Sequence, residues 1–241
     1  MNNVKVIIID ANKISMEQVK ELISEHGELI HVSRVFTSLS EVREYCRASF
    51  PDALFCNLDM SEFGSSQTLR SISKMSGHIA IIGYLTNFNA LFLSYAERNK
   101  YLDAVISPTT SKSEIKKCYQ TVMLKKGSKT TKKKFFSSEV KKFLKDCKNN
   151  PKYTKLFSFM EILSSRELDI FLLLYCKLRN IQMAKCLKVS EKTISSHKTN
   201  ILKKGNVRSF DQLKIKINYL VEPNQSNILN AIDKFKKSHN D

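Results

Sequence analysis

The chain has 241 residues, long enough for two compact units that each bury a core. Its formal net charge of +17 lies entirely in one half: residues 1–124 carry 13 basic and 13 acidic residues, residues 125–241 carry 27 and 10. The six cysteines are scattered with no CxxC, and no apolar run approaches the roughly 18 residues of a bilayer span, so a disulfide framework, a zinc site and a membrane protein are excluded as expectations. A soluble, cytoplasmic protein with reduced thiols is expected. The basic surplus calls for a polyanionic partner, and nucleic acid leads because a patterned, foldable sequence accompanies the charge.

Residues 1–124 alternate short apolar runs with amphipathic stretches. Strands are predicted at Val4–Ile9, Ile30–Phe36, Ala53–Cys56, Ile79–Tyr84 and Asp103–Ile106, each too short for a helix and apolar enough to be buried on both faces. Helices are predicted at Ser15–Ser24, where Met16, Val19, Leu22 and Ile23 recur at helical spacing, then at Leu39–Arg47, Leu69–Ser76, Ala90–Arg98, and from Ser111 through Ile115, Cys118 and Val122. Five strand–helix repeats imply an α/β unit, a parallel sheet with helices on both faces.

Residues 125–158 break this rhythm with Lys132-Lys133-Lys134 and Asn149-Asn150-Pro151, and read as a basic linker. Within it Ser137 can cap one short helix that holds Val140, Phe143 and Leu144 on one face.

Residues 159–221 read as an all-α unit of four helices. Ser164 and Glu167 form a capping box before Leu168, Phe171, Leu172 and Leu174 or Tyr175. A short helix near Asn180–Leu187 offers Met183, Ala184 and Leu187 to the same core. Ser190 caps a third helix with Ile194, His197 and Ile201 on one face and Lys192, Ser195, Ser196, Thr199 and Lys203 on the other. Asn206 can take the left-handed conformation that ends it, and Ser209 with Gln212 caps a last helix carrying Leu213, Ile215, Ile217 and Leu220. In residues 222–241 one more helix, Ser226–Lys237, would align Ile228, Leu229, Ile232 and Phe235 for core packing or an oligomer contact.

The run Leu163-Ser164-Ser165-Arg166-Glu167-Leu168, followed without gaps by Ala184, Leu187, Val189 to Ile194, His197, Asn200-Ile201 and Lys204, resembles the LuxR-type helix-turn-helix domain of the NarL/FixJ family. That resemblance implies a transcriptional regulator whose third helix enters the major groove of double-stranded DNA. Ser195, Ser196 and Thr199 are then short hydroxyl side chains facing base edges; Lys192, Thr193, Lys198, Lys203 and Lys204 are phosphate contacts that set affinity and register. His197 is read as a packed residue without chemistry.

Two positions depart from the family pattern. Gly205 and Asn206 stand where the family usually has Leu-Gly, which removes a core side chain; such a loss costs about 2–5 kcal/mol unless a neighbour fills the gap, and Leu202 is the nearest candidate. Lys177 replaces a turn glycine.

Residues 1–124 resemble the receiver module that normally precedes such a domain, whose members hold magnesium with acidic residues and transfer phosphate to an aspartate ending strand three. Residue by residue, Asp10 retains the first acidic position, but its partner is Ala11 and the acceptor is Asn57, whose amide cannot act as the usual nucleophile. Leu85 takes the hydroxyl position, with Thr86 one place late, and Ser107 takes the lysine position. The expectation is a pseudo-receiver that dimerises or docks a partner. An altered receiver joined to Lys192–Lys198 also resembles the regulators of the enterobacterial Rcs capsule system, which implies a homodimer or a heterodimer with another LuxR-type regulator, each subunit reading one half-site.

Two alternatives stand beside this reading: a phosphorylated regulator that uses a non-standard acceptor such as Asp59, and an adaptor that does not bind DNA. An enzyme is not expected, since the sequence holds no Gly-rich phosphate loop, nucleophile–base set or metal cluster; no cofactor and no metal site are expected.

Overall fold

The computed structural model describes residues 4–10, 12–24, 30–58, 66–75, 79–86, 88–107, 109–123 and 134–218. Five strand–helix pairs come first: β1 (Val4–Ile9) and α1 (Lys13–Ser24), β2 (Ile30–Phe36) and α2 (Leu39–Ala48), β3 (Ala53–Asn57) and α3 (Ser66–Met75), β4 (Ala80–Tyr84) and α4 (Ala90–Arg98), β5 (Ala104–Ile106) and α5 (Lys112–Met123). Every strand pair is parallel and the sheet order is β2-β1-β3-β4-β5-β6, with β6 formed by Phe135–Phe136. This is the doubly wound arrangement in which the order reverses between β1 and β3, so a crevice opens at the carboxyl ends of those strands.

The apolar runs bury both faces of the sheet, as expected. Val6 and Ile8 of β1, Phe55 of β3, Ile82 of β4 and Ala104 and Ile106 of β5 pack with Val19 and Ile23 of α1 and Ile115, Cys118 and Val122 of α5. Strand alternation turns Ile7, Ile9, Leu54, Cys56 and Ile81 to the other face, where they are just as buried. Burial pushes the thiols up, to about 11 for Cys46 and about 12 for Cys118, so these cysteines act as small apolar groups.

Residues 134–161 are more ordered than a linker with one short helix. Lys134 donates through Nζ to the carbonyls of Ala96, Glu97 and Asn99 at the end of α4, and β6 then adds to β5 through Phe135 N to Asp103 O at 3.0 Å. The helix α6 (Ser138–Asn149) follows, and α7 (Pro151–Glu161) begins on the proline that the sequence reading took as a break. A proline at a first helical position forfeits no bond, since that N–H has no intrahelical partner.

Ser137 does sit at the start of α6, but its buried Oγ finds no partner among the described residues. Glu114 of α5 does the capping instead, accepting from Ser138 N at 2.7 Å and Ser138 Oγ at 2.6 Å. Burial opposes charge on Glu114, yet these hydrogen bonds with Lys141 and Lys117 hold its pKa below the ordinary value.

The chain divides into two compact units. One holds the sheet and continues to Phe143; the other takes Asn89–Tyr95 and the residues from Leu144 onward. The second unit contains the four expected helices α8 (Ser165–Tyr175), α9 (Asn180–Leu187), α10 (Glu191–Gly205) and α11 (Phe210–Asn218), preceded by α7. Leu168, Phe171, Leu172 and Leu174 of α8, Met183, Ala184 and Leu187 of α9, Ile194 and Ile201 of α10 and Leu213 of α11 are buried together with Leu156 and Met160 of α7. Ile215, by contrast, is exposed. Leu220 and the predicted helix at 226–237 lie outside the described residues.

Candidate nucleic-acid interface and strand-end pocket

The helix α10 is held rigidly at both ends by its own sequence. Ser190 accepts from Thr193 N at 3.1 Å, and Asn206 takes φ 50 and ψ 53, the left-handed conformation expected of it. The Ser164–Glu167 capping box is present in full, with Ser164 N to Glu167 Oε2 at 2.7 Å. Lys177, in place of the turn glycine, sits at φ 60, so the turn keeps its geometry and carries the strain of a side chain there.

The gap left by Gly205 is closed by neighbours other than Leu202, which stays half-exposed. A Cβ at Gly205 would lie 3.0 Å from Leu213 Cδ1, 3.4 Å from Phe159 Cε2 and 3.5 Å from Val207 Cγ2. Phe159 of α7 in turn meets the Phe171 ring edge-on at 5.4 Å. The missing leucine is therefore replaced by side chains arriving from α7 and α11.

On the outer face of α10, Lys192, Ser195, Ser196, Thr199 and Lys203 are exposed and Thr193 and Lys198 half-exposed, while His197, expected to pack beside Ile194 and Ile201, is itself half-exposed. The hydroxyls are already engaged locally: Ser196 Oγ donates to Lys192 O at 3.0 Å and Thr199 Oγ1 to Ser195 O at 3.1 Å. Asn180, the first residue of α9, reaches two of the predicted contacts, donating through Nδ2 to Ser195 Oγ at 3.4 Å and accepting from Lys198 Nζ at 3.1 Å. Lys204 stands apart from the other lysines. It pairs with Glu167 at 2.6 Å and donates to Ile162 O at 2.9 Å, so it ties α10 to α8. Burial opposes charge on Glu167, but Lys204 and Ser164 hold its pKa below the ordinary value.

In the first unit, β1, β3, β4 and β5 bring Asp10, Asn57, Leu85 and Ser107 to one end of the sheet. Ala11 lies outside the described residues. Asp10 is buried and its carboxylate is saturated by protein donors. Asn12 N gives 2.8 Å to Oδ1; Oδ2 accepts from Asn57 Nδ2 at 2.9 Å, from the Tyr84 hydroxyl at 2.6 Å and from Ser15 Oγ. Leu85 is core, its N–H bonded to Ile106 O at 3.1 Å. Ser107 Oγ donates at 2.5 Å to Glu139 of α6, which also accepts from Thr109 Oγ1 at 2.6 Å.

Sequence reasoning missed Tyr84, Ser15, Asn180 and Glu139. A tyrosine closing an otherwise aliphatic buried strand was the one local signal among them. Among the described residues no group of three or more His, Cys, Asp or Glu is placed to hold a metal ion, and no helix is long and apolar enough to cross a membrane.

The two units define a class: a CheY-like receiver fold followed by an all-helical LuxR-type helix-turn-helix domain. Residues 161–216 match the family GerE, bacterial regulatory proteins of the luxR family, and this segment is a domain of that family. The chain is similar to the Fimbriae Z protein of Escherichia coli K12, 24% identical over 215 residues that cover 88% of this chain and 95% of the relative. Its fold is also that of the RcsB response regulator of Salmonella typhimurium, at 21% identity and a TM-score of 0.62 over 97% of this chain and 98% of that one. A second RcsB structure, from Salmonella enterica serovar Typhimurium bound to promoter rprA with a phosphomimetic, aligns at 19% identity and a TM-score of 0.64 over 91% of this chain and 98% of that one.

Proposed function

We propose that this chain is a bacterial DNA-binding transcriptional regulator, acting in the cytoplasm without catalytic activity, whose receiver-like unit does not accept phosphate by the usual route. The observation that carries DNA binding is the outer face of α10: small hydroxyls at 195, 196 and 199 let the helix approach base edges, and flanking lysines at 192, 198 and 203 meet phosphates. RcsB bound to promoter DNA supports this placement by analogy of fold. Lys204, being held by Glu167, contributes to the fold of the domain more than to phosphate binding.

Loss of phosphorylation rests on the pocket. An acceptor carboxylate is absent at 57, and the Asn57 amide spends a proton on the carboxylate that would otherwise ligate magnesium. The receiver-like unit then serves dimerisation, either with itself or with another LuxR-type regulator. Selection of duplexes from a random library by the full chain should enrich one sequence class, and incubation with magnesium and a small phosphoryl donor should leave no stoichiometric acid-labile label. Failure to enrich any sequence would refute DNA reading; stoichiometric label would refute the closed pocket.

A further inference from the structure

Three hydroxyls face outward on α10, but they are not chemically equivalent. Ser196 donates its proton to Lys192 O and Thr199 donates its proton to Ser195 O, which leaves both presenting lone pairs. Ser195 is in the opposite state. Its Oγ accepts from Asn180 Nδ2 at 3.4 Å, and no described residue takes its own proton.

We infer that Asn180 is a positioning residue that orients the Ser195 hydroxyl and occupies one of its two lone pairs, so that the position Ser195 reads favours base edges bearing an acceptor. This rests on the DNA-binding reading and sharpens it. A lone serine hydroxyl rotates among staggered positions and both donates and accepts, so it distinguishes bases poorly. An amide N–H anchored on α9 narrows that freedom, since one lone pair faces Asn180 and the O–H and the second lone pair point away from it. Guanine N7 and O6, adenine N7 and thymine O4 are then favoured over the cytosine amino group. The same carboxamide accepts from Lys198 Nζ at 3.1 Å, and Ser195 and Lys198 lie three residues apart on one side of α10. One side chain from the first helix of the motif thus sets a base-reading group and a phosphate-binding group in register.

The test uses the full chain and duplexes selected from a random library with the unaltered protein. Asn180→Ala and Ser195→Ala should relax preference at the same base pair, each by about two- to tenfold, and the double variant should lose no more than either single one. Asn180→Asp keeps an acceptor for Lys198 but turns its second oxygen into an acceptor for the Ser195 proton, and should shift preference at that pair toward adenine N6 or cytosine N4 edges. It also carries the test should the alanine variant fold poorly. Additive losses, relaxation at different base pairs, or an unchanged preference in Asn180→Asp would overturn the assignment. If the unaltered chain enriches no sequence, the DNA-binding reading itself fails, which is a separate result.

Discussion

The hydroxyl of Tyr84 donates to Asp10 Oδ2 at 2.6 Å across 74 residues of sequence, linking the end of β4 to the residue that follows β1. With Ser15 and Asn57 on the same oxygen, the carboxylate's hydrogen-bonding capacity is taken up by neutral donors where a receiver would use a cation. Tyr84→Phe removes one charge-assisted bond and should cost about 1.5–3 kcal/mol in denaturant unfolding. Asn57→Asp sets a second carboxylate beside Asp10 and should destabilise by a similar about 1–3 kcal/mol, part of which magnesium should restore. Magnesium should not shift the unfolding midpoint of the unaltered chain.

The lysines of α10 separate into two kinds. Lys192 and Lys203 are exposed, and replacing both with Ala should weaken binding to all duplexes alike and lower the slope of log affinity against log salt by about 2. Lys204→Ala should instead lower the stability of the helical unit, because Glu167 and Ile162 O lose their partner.

Glu167 gives the helical unit an acid-sensitive joint. Its pKa is held below the ordinary value of 4.5, so its contribution is complete above that value and is lost as pH falls through the lower, folded one. Glu167→Gln should cost about 1–2 kcal/mol at pH 7. The difference between the two proteins should begin to shrink below pH 4.5 and vanish below the folded pKa, and parallel urea titrations across pH will show whether it does.

Gly205 sits in a space already filled. Gly205→Ala brings a Cβ to 3.0 Å from the tip of Leu213 while gaining about 1 kcal/mol of helix propensity, so its effect on the thermal midpoint should be small. Gly205→Leu, which restores the residue usual in the family, should destabilise by about 1–3 kcal/mol through overpacking. A double variant with Leu213→Ala should recover part of that loss.

Much of this was legible from sequence because local rules decided it. Ser164 with Glu167, Ser190 and Asn206 name helix ends through chemistry within four residues, and buried parallel strands announce themselves as unbroken apolar runs. What escaped depends on distant partners. A two-residue strand such as Phe135–Phe136 has no periodicity to read, and Pro151 marks a helix start or a break with equal force until its neighbours are known. Tyr84 looked like an ordinary strand end until β4 set it beside β3 and Asp10, which follows β1. Phe159 fills the space at Gly205 only because α7 returns against α8.

The most direct test of the whole account is affinity for the selected duplex, followed by fluorescence anisotropy with and without acetyl phosphate and magnesium. Binding should be saturable and salt-dependent, with the same dissociation constant in both conditions. A tenfold tightening on addition of the phosphoryl donor would contradict the closed pocket, and absence of saturable binding in either condition would contradict the assignment of α10.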